Sequence, residues 1–429
     1  MPGLTPYFSV IIPTYRSARQ LRKTLASLAR SVFSDYECLV VIDGPLDESA
    51  AIAADFGAQV LTTGVRKGPA CARNLGARSA VGDVLVFLDS DVCAAPDTLA
   101  KIHASFERDR TLNAVFGSYD DSPPGTGFFS RYRNLMHCYV HRTGRREAST
   151  FWAGCGAIQR KVFLGAGGFN EAYRQPSIED IELGYRLSAA GRSLALDPDI
   201  SVTHLKEWTF WNMVRTDILQ RGIPWTELIL RSGKMPNDLN LKLSQRVSIV
   251  LVYCMIAMAA GALVDSPRPF LLTLAVLCCL MLGQVRVIPN RRYTGQLAIT
   301  LCFGLCLLVP LSYQLLPWVP WVTALSCLVP ELGERRRKLL PFTDAISTAC
   351  SAVSSLALLT VLPGHPFIIG FYGFAAAVIL INSGFYRFLA SRLGWARAVA
   401  SMPCHMLFHA YSGFSFAVGC LIHLFRSRP

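Results

Sequence analysis

The fourteen cysteines of this 429-residue chain contain no Cys-x-x-Cys pair, and no charged segment followed by a short apolar one stands at the N-terminus. The first absence removes the common zinc and dithiol motifs. The second argues against export and a disulfide framework, so the N-terminal half is expected to stay in the cytosol. Cys254, Cys278, Cys279, Cys302 and Cys306 lie within hydrophobic runs and count there as small apolar side chains. Acidic residues are the other shortage. Residues 241–429 carry 15 Lys/Arg against 4 Asp/Glu, whereas residues 1–240 carry 27 against 25, so most of the net charge of +13 sits in one half. No basic stripe interleaved with aromatics occurs outside that half and its border, so nucleic acid is not an expected partner. Basic residues placed between apolar runs are instead the pattern of cytosolic membrane loops, and they attract anionic lipid.

With 52% hydrophobic residues, part of the chain is expected in the bilayer. Uncharged runs cover Val247 to Val264, Phe270 to Val285, Tyr293 to Pro330, Ala345 to Tyr386 and Ala398 to Phe425. The third and fourth are long enough to cross twice, at about 20 residues per crossing. With Arg246 inside, Arg286, Arg291, Arg292, the block Arg335 to Lys338, and Arg387, Arg392 and Arg397 all return inside after six crossings. A seventh would leave Arg426 and Arg428 outside. Six to seven helices are therefore expected over residues 247–429. Residues 206–246 mix Trp208, Phe210, Trp211 and Trp225 with Lys206, Arg215 and Arg221 and contain no spanning run, which predicts amphipathic helices in the interface.

The N-terminal half alternates short β-branched runs with helical periodicity. Ser9 to Pro13, Cys38 to Ile42, Val60 to Thr62 and Val84 to Leu88 read as strands, with helices over Arg16 to Ala29 and Ala70 to Ala80. Alternation of this kind predicts an α/β fold: a mostly parallel sheet, helices on both faces, and ligands at the carboxyl ends of the strands. Asp43, Asp89 and Asp91 fall at such ends. Asp89-Ser90-Asp91 follows the apolar strand VLVFL, so two carboxylates can converge on one hard cation, Mg²⁺ or Mn²⁺, that would also hold a diphosphate. Ile178 to Arg186 opens a helix with Glu179 and Asp180, where acids either compensate the helix dipole or supply a general base. Glu182 and Arg186 are four apart and are expected to pair on the helix surface. His204 is a further candidate for the metal, and Asp120 to Arg146, with its Pro-Pro-Gly, reads as a long mobile loop.

Seven segments occur in order: SVIIPTYR at 9–16, VVIDGPLDES at 40–49, GPACARN at 68–74, FLDSDV at 87–92, FWAGCGAIQRKVF at 151–163, GGFNE at 167–171 and IEDIELGYRL at 178–187. Together they resemble a family 2 glycosyltransferase of the fold called GT-A, over roughly residues 7–205. The resemblance implies a GT-A domain at 1–205, interfacial helices at 206–246 and a transmembrane domain at 247–429. It implies that Pro13, Tyr15 and Asp43 surround the nucleotide base, that Arg73 lies near base or phosphate, and that Asp89 is the ribose-side acid and a neighbour of the metal. Asp91 matches the metal ligand, and Asp180 matches the base that deprotonates the acceptor hydroxyl, with Glu179 beside it. The family's paired acids at the second strand are here Ile42-Asp43, followed by Pro45 and Leu46, which leaves the nucleotide open, a UDP-sugar being favoured.

The activity so implied is inverting, metal-dependent transfer from a nucleotide-diphosphate sugar to a lipid, lipid-linked or glycan acceptor. It would take place at the cytosolic face of the bilayer, the bacterial inner membrane, in cell-envelope synthesis. Trp152 is a candidate for stacking on an acceptor sugar, with Gly154 and Gly156 permitting close approach. Gln220 and Trp225 in QRGIPW partly match the Q-x-x-R-W of processive polysaccharide synthases, with the arginine displaced to 221. A processive synthase is accordingly one alternative. A non-catalytic membrane scaffold or transporter is another, and a nucleotidyltransferase ranks third.

Overall fold

The computed structural model describes residues 5–267, 270, 271, 274 and 365–426. The chain divides into two compact units, residues 1–243 with 411–429, and residues 244–410.

The first unit is built on an eight-stranded sheet in the order β3-β2-β1-β4-β7-β6-β8-β5. The strands are β1 (Phe8–Thr14), β2 (Tyr36–Ile42), β3 (Gln59–Thr62), β4 (Val84–Leu88), β5 (Val92–Ala94), β6 (Leu112–Tyr119), β7 (Cys155–Gln159) and β8 (Ser193–His204). β1 and β4 are buried at every position, as continuous apolar runs covered on both faces should be. The expected parallel alternation holds at one side, where β3, β2, β1 and β4 run in the same direction. Beyond β4 the sheet is mixed: β7 is antiparallel to both neighbours, β5 is antiparallel to β8, and only β6–β8 is parallel. The helices are α1 (Ala18–Leu28), α2 (Glu48–Asp55), α3 (Pro69–Ser79), α4 (Thr98–Arg108), α5 (Phe128–Arg142), α6 (Arg160–Gly165) and α7 (Glu179–Ala189).

The expected loop Asp120 to Arg146 is a correction. Its middle is α5, fifteen residues long, whose Ser130, Arg133, Asn134 and Cys138 are buried along with Tyr132, Leu135 and Met136. A polar stripe at helical spacing disguised the helix as loop. After β8 come α8 (Phe210–Arg215), a π-helical turn (Thr216–Gly222) and α9 (Ile223–Ser232). The aromatics here divide. Trp211 is 76% exposed, as an interfacial residue would be, whereas Trp208 and Trp225 are buried in protein.

The second unit begins with α10 (Leu243–Asp265), whose 23 residues extend about 35 Å, enough for a hydrocarbon core of about 30 Å. Next among the described residues are α11 (Pro366–Ile381) and α12 (Ser383–Leu393), bent by 68° at Asn382. The Asn382 amide donates to Ser248 Oγ and to the Val378 carbonyl, each at 2.9 Å, which satisfies polar groups where the helix breaks. Last is α13 (Trp395–Arg426), a continuous helix of 32 residues over the last apolar run, whose residues from Tyr411 on belong to the first unit. Among the described residues, α10 and α13 are long and apolar enough to cross a membrane, with the bent pair a third if read as one span. The expected run Tyr293 to Pro330, most of Phe270 to Val285 and residues 345–364 of the run Ala345 to Tyr386, with Arg286, Arg291, Arg292 and Arg335 to Lys338, lie outside the described residues.

Candidate functional site

The sheet order brings the strand-end acids together. β1 lies between β2 and β4, so Asp43, one residue past β2, and Asp89, one residue past β4, open onto the same edge of the sheet. The β5–β8 pairing puts Val92 opposite His204, which carries His204 to the side of Asp91. Helix α7 then presents Glu179 and Asp180 from its first turn, where exposed backbone N–H groups favour carboxylates.

Arg73 of α3 is the centre of the charge balance. Buried at 5% exposure, it donates from Nη2 to Asp89 Oδ1 at 2.7 Å and from Nη1 to Glu179 Oε1 at 2.9 Å. Glu179 also accepts from the Ser177 N–H at 2.9 Å, so this buried carboxylate is committed on both oxygens. Its neighbour differs. Asp180 accepts from the Ala153 N–H (3.1 Å) and the Ile181 N–H (2.8 Å) and makes no close ion pair among the described residues. Burial, with the negative charge of Glu179 beside it, pushes the Asp180 carboxyl up to about 7. The structure thus separates the pair: Glu179 holds Arg73, and Asp180 is the carboxyl poised to take a proton near neutrality. Glu182 and Arg186 pair at 2.8 Å, as expected from their spacing.

Asp91 and His204 form the second centre. The His204 ring is buried, stacked on Tyr119 at 4.2 Å between centroids, and its Nδ1 lies 2.7 Å from Asn134 Oδ1. That oxygen is an acceptor, so Nδ1 carries a proton, and Nε2 lies 3.7 Å from Asp91 Oδ2. Burial works against ionisation of Asp91, but His204 and Lys206 outweigh it and hold its carboxyl below the usual range. Burial lowers the Lys206 ammonium, which lies 4.2 Å from the Trp208 ring centroid.

Asp91 and His204 fit a divalent cation. Their 3.7 Å separation is wider than the about 3.0 Å between adjacent ligands of an octahedral ion with bonds of about 2.1 Å, so a bound cation would draw them together, while Asn134 holds the imidazole from its far side as partners of metal-binding histidines do. Among the described residues no three His, Cys, Asp or Glu side chains gather as a full cage. An ion here would complete its shell from phosphate oxygens and water, the habit of Mg²⁺ and Mn²⁺. Asp89, also expected near the metal, gives Oδ1 to Arg73.

Of the residues expected around the nucleotide base, Pro13 is buried in β1 and Tyr15 is 37% exposed, with the Arg66 guanidinium 4.3 Å from its ring centroid. The Asp43 carboxylate accepts from the Lys67 N–H (2.8 Å), the Gly68 N–H (2.9 Å) and Thr63 Oγ1 (3.1 Å). It therefore pins the 63–68 loop to the end of β2.

The acceptor-side candidates scatter. Trp152 is half-buried, edge-on to Tyr119 (4.7 Å) and His141 (4.9 Å), and a Cβ on Gly154 would come within 2.5 Å of its indole. Trp225 is a packing residue: its ring is buried with Ile178 and Ile229, and its Nε1 donates to Tyr185 Oη at 3.2 Å. Gln220 contributes its backbone carbonyl, which accepts from Ser177 Oγ at 2.8 Å. Sequence reasoning missed Asn134, Tyr119 and His137. The signal available was the polar series Ser130, Asn134, His137 and His141, spaced by three or four residues, with Arg133 beside Asn134.

The fold and site are thus an α/β sheet with acids and a histidine at its strand ends, faced by the acidic first turn of a helix. The sequence profile of Glycosyl transferase family 2 matches residues 9–166, so the chain carries a family 2 glycosyltransferase domain; the match ends before α7 and His204. The chain is 31% identical to "Validoxylamine A glucosyltransferase" of Streptomyces hygroscopicus subsp. jinggangensis (strain 5008), over 44% of this chain and 54% of the relative. It is 30% identical to "Pre-mycofactocin glycosyltransferase" of Mycobacterium tuberculosis (strain CDC 1551 / Oshkosh), over 47% of this chain and 44% of the relative. The chain thus spans about half the length of the curated relatives it matches. Among solved structures it is similar to mannosyltransferase PcManGT from Pyrobaculum calidifontis in complex with GDP-Man and Mn²⁺, at TM-score 0.39 and 16% identity, covering 83% of this chain and 88% of that one. It is also similar to S. aureus TarS 1–349 in complex with UDP-GlcNAc, at TM-score 0.41 and 15% identity, covering 82% and 91%.

Proposed function

We propose that this protein is an inverting, metal-dependent glycosyltransferase that moves one sugar from a nucleotide-diphosphate sugar, a UDP-sugar in the favoured case, to an acceptor at the cytosolic face of a bacterial inner membrane. The observation that carries the reading is a carboxyl raised to about 7 at Asp180, in the first turn of α7, together with the Asp91–His204 pair at the strand ends, able to hold a cation. Asp180 takes the proton of the acceptor hydroxyl as its oxygen attacks the anomeric carbon. The new carbon–oxygen bond forms as the bond to the diphosphate breaks, with inversion and no covalent intermediate. A bound divalent cation supplies charge stabilisation to the departing diphosphate, and Asp91 and His204 are the residues that would hold it. The imidazole ligand favours Mn²⁺ over the strictly oxygen-seeking Mg²⁺. Lys206 and Arg221 add positive charge beside the same acids.

A lipid or lipid-linked acceptor suits a domain fused to apolar helices. Processive synthesis is disfavoured, because Trp225 is packed against Ile178 and Ile229 and has no free face for a polymer. The test is nucleotide release by the detergent-purified protein across a panel of sugar nucleotides, with and without Mn²⁺ and membrane lipid. Metal-dependent release from one donor, lost in Asp91→Ala and Asp180→Asn, supports the reading. Silence with every donor and lipid would favour the scaffold.

A further inference from the structure

The last helix makes contacts within the first unit that an inert anchor does not require. Asp217, in the π-helical turn and 7% exposed, receives three groups. Arg133 Nη2 of α5 donates to Oδ1 in a close ion pair, Tyr411 Oη of α13 donates to Oδ2 at 2.7 Å, and Arg221 Nη1 stands 3.7 Å from Oδ1. The guanidinium of Arg221 is turned elsewhere: Nη1 lies 2.9 Å from His137 Nε2, and over a third of the side chain is exposed. His137 stacks on Tyr119, and Tyr119 stacks on His204. Arg221 also lies within electrostatic reach of Asp180. The register of helix on helix is fixed by close packing. A Cβ on Gly222 would fall 2.6 Å from Ser415 Cβ, one on Gly419 would fall 2.6 Å from Thr226 Cβ, and Arg426 pairs with Glu227 at 2.9 Å.

We propose that Tyr411 is a positioning residue for the transfer reaction: its hydroxyl occupies Asp217 Oδ2 while Arg133 occupies Oδ1, so that Arg221 stays out of a tight pair with Asp217 and faces the acidic site. This rests on the transferase reading above. An aspartate with a free oxygen four residues before an arginine draws it into a close ion pair. Removing the Tyr411 hydroxyl frees that oxygen, and Arg221 swings toward Asp217 and away from the place where a departing diphosphate carries charge. Residues 411–426 of α13 are then a part of the catalytic unit, with Tyr411 acting through Asp217 and Arg221 and touching no substrate.

The experiment uses the full-length protein in detergent with membrane lipid, comparing wild type with Tyr411→Phe, Arg221→Gln and the double variant. UDP and GDP serve as binding probes, and KM for the active donor, kcat and melting temperature are measured in parallel. The expected result is a five- to tenfold loss of nucleoside-diphosphate affinity and a matching rise in donor KM in both single variants. The melting temperature should be held in Tyr411→Phe, and the double variant should be no worse than Arg221→Gln alone. A Tyr411→Phe protein with unchanged affinity and KM, or with a changed melting temperature only, overturns the inference and leaves the transferase reading intact. So do single effects that add in the double variant. A wild-type protein that turns over no donor overturns both.

Discussion

Glu179 and Asp180 are adjacent acids whose surroundings call for separate outcomes when each is neutralised. Asp180→Asn should lower turnover by about 10²–10⁴-fold, the usual worth of a general base, with UDP affinity retained in equilibrium binding. The wild-type rate should rise with pH through about 7, as Asp180 ionises. Stability should run the other way. The folded carboxyl titrates above its unfolded value of about 3.9, so the fold favours the protonated form and loses stability as pH rises from about 4 to about 7. Melting curves at pH 5 and pH 8 check this, since the Asp180→Asn protein should lose that part of the dependence. Asn134 makes a different case because it touches only His204, Trp208 and the Lys206 carbonyl in the hydrogen-bond network. Asn134→Ala should weaken Mn²⁺ binding by about 10–100-fold, read by Mn²⁺ titration in the presence of UDP.

Among the elements, α3 joins β4 to α7 through one guanidinium. Arg73→Met should cost about 3–5 kcal/mol in chemical denaturation, because it strands the buried Glu179 carboxylate and takes a partner from Asp89. The strand-end acids were legible in the sequence because VLVFL is a continuous apolar run with a sharp polar stop, and a buried strand ending in carboxylates announces a partner for the charge. β7 was not, since Cys-Gly-Ala-Ile-Gln has neither alternation nor a run of β-branched residues; its place between β4 and β6 depends on tertiary pairing. Helix α5 escaped for a related reason. Its inward face carries Ser130, Arg133 and Asn134, which composition assigns to the surface. The role of Arg73 was visible only in part, because its link to Glu179 joins residues 106 apart in the chain.

For the molecule as a whole, the charge pattern makes a claim about sidedness. Arg246 precedes the apolar stretch of α10, and Arg392 and Arg397 flank the turn at Gly394, so both Gly233 and Gly394 should lie on the cytosolic side. An epitope inserted after either glycine should be inaccessible to antibody in intact spheroplasts and reached after permeabilisation. Labelling of intact cells at Gly233 would invert the assigned orientation.

The π-helical turn at Thr216–Gly222 has a consequence for ancestry and engineering. A π turn closes its hydrogen bonds one residue later than an α turn, so it behaves as an α-helix that has absorbed an inserted residue. Everything after it is rotated by about 100°, the share of one residue in an α-helix. Deleting one residue between Leu219 and Gly222 should restore α geometry while turning Trp225 off Tyr185 and Glu227 off Arg426 together. Loss of both contacts at once would make the insertion hard to reverse, so such a turn can persist in a lineage as a one-way step.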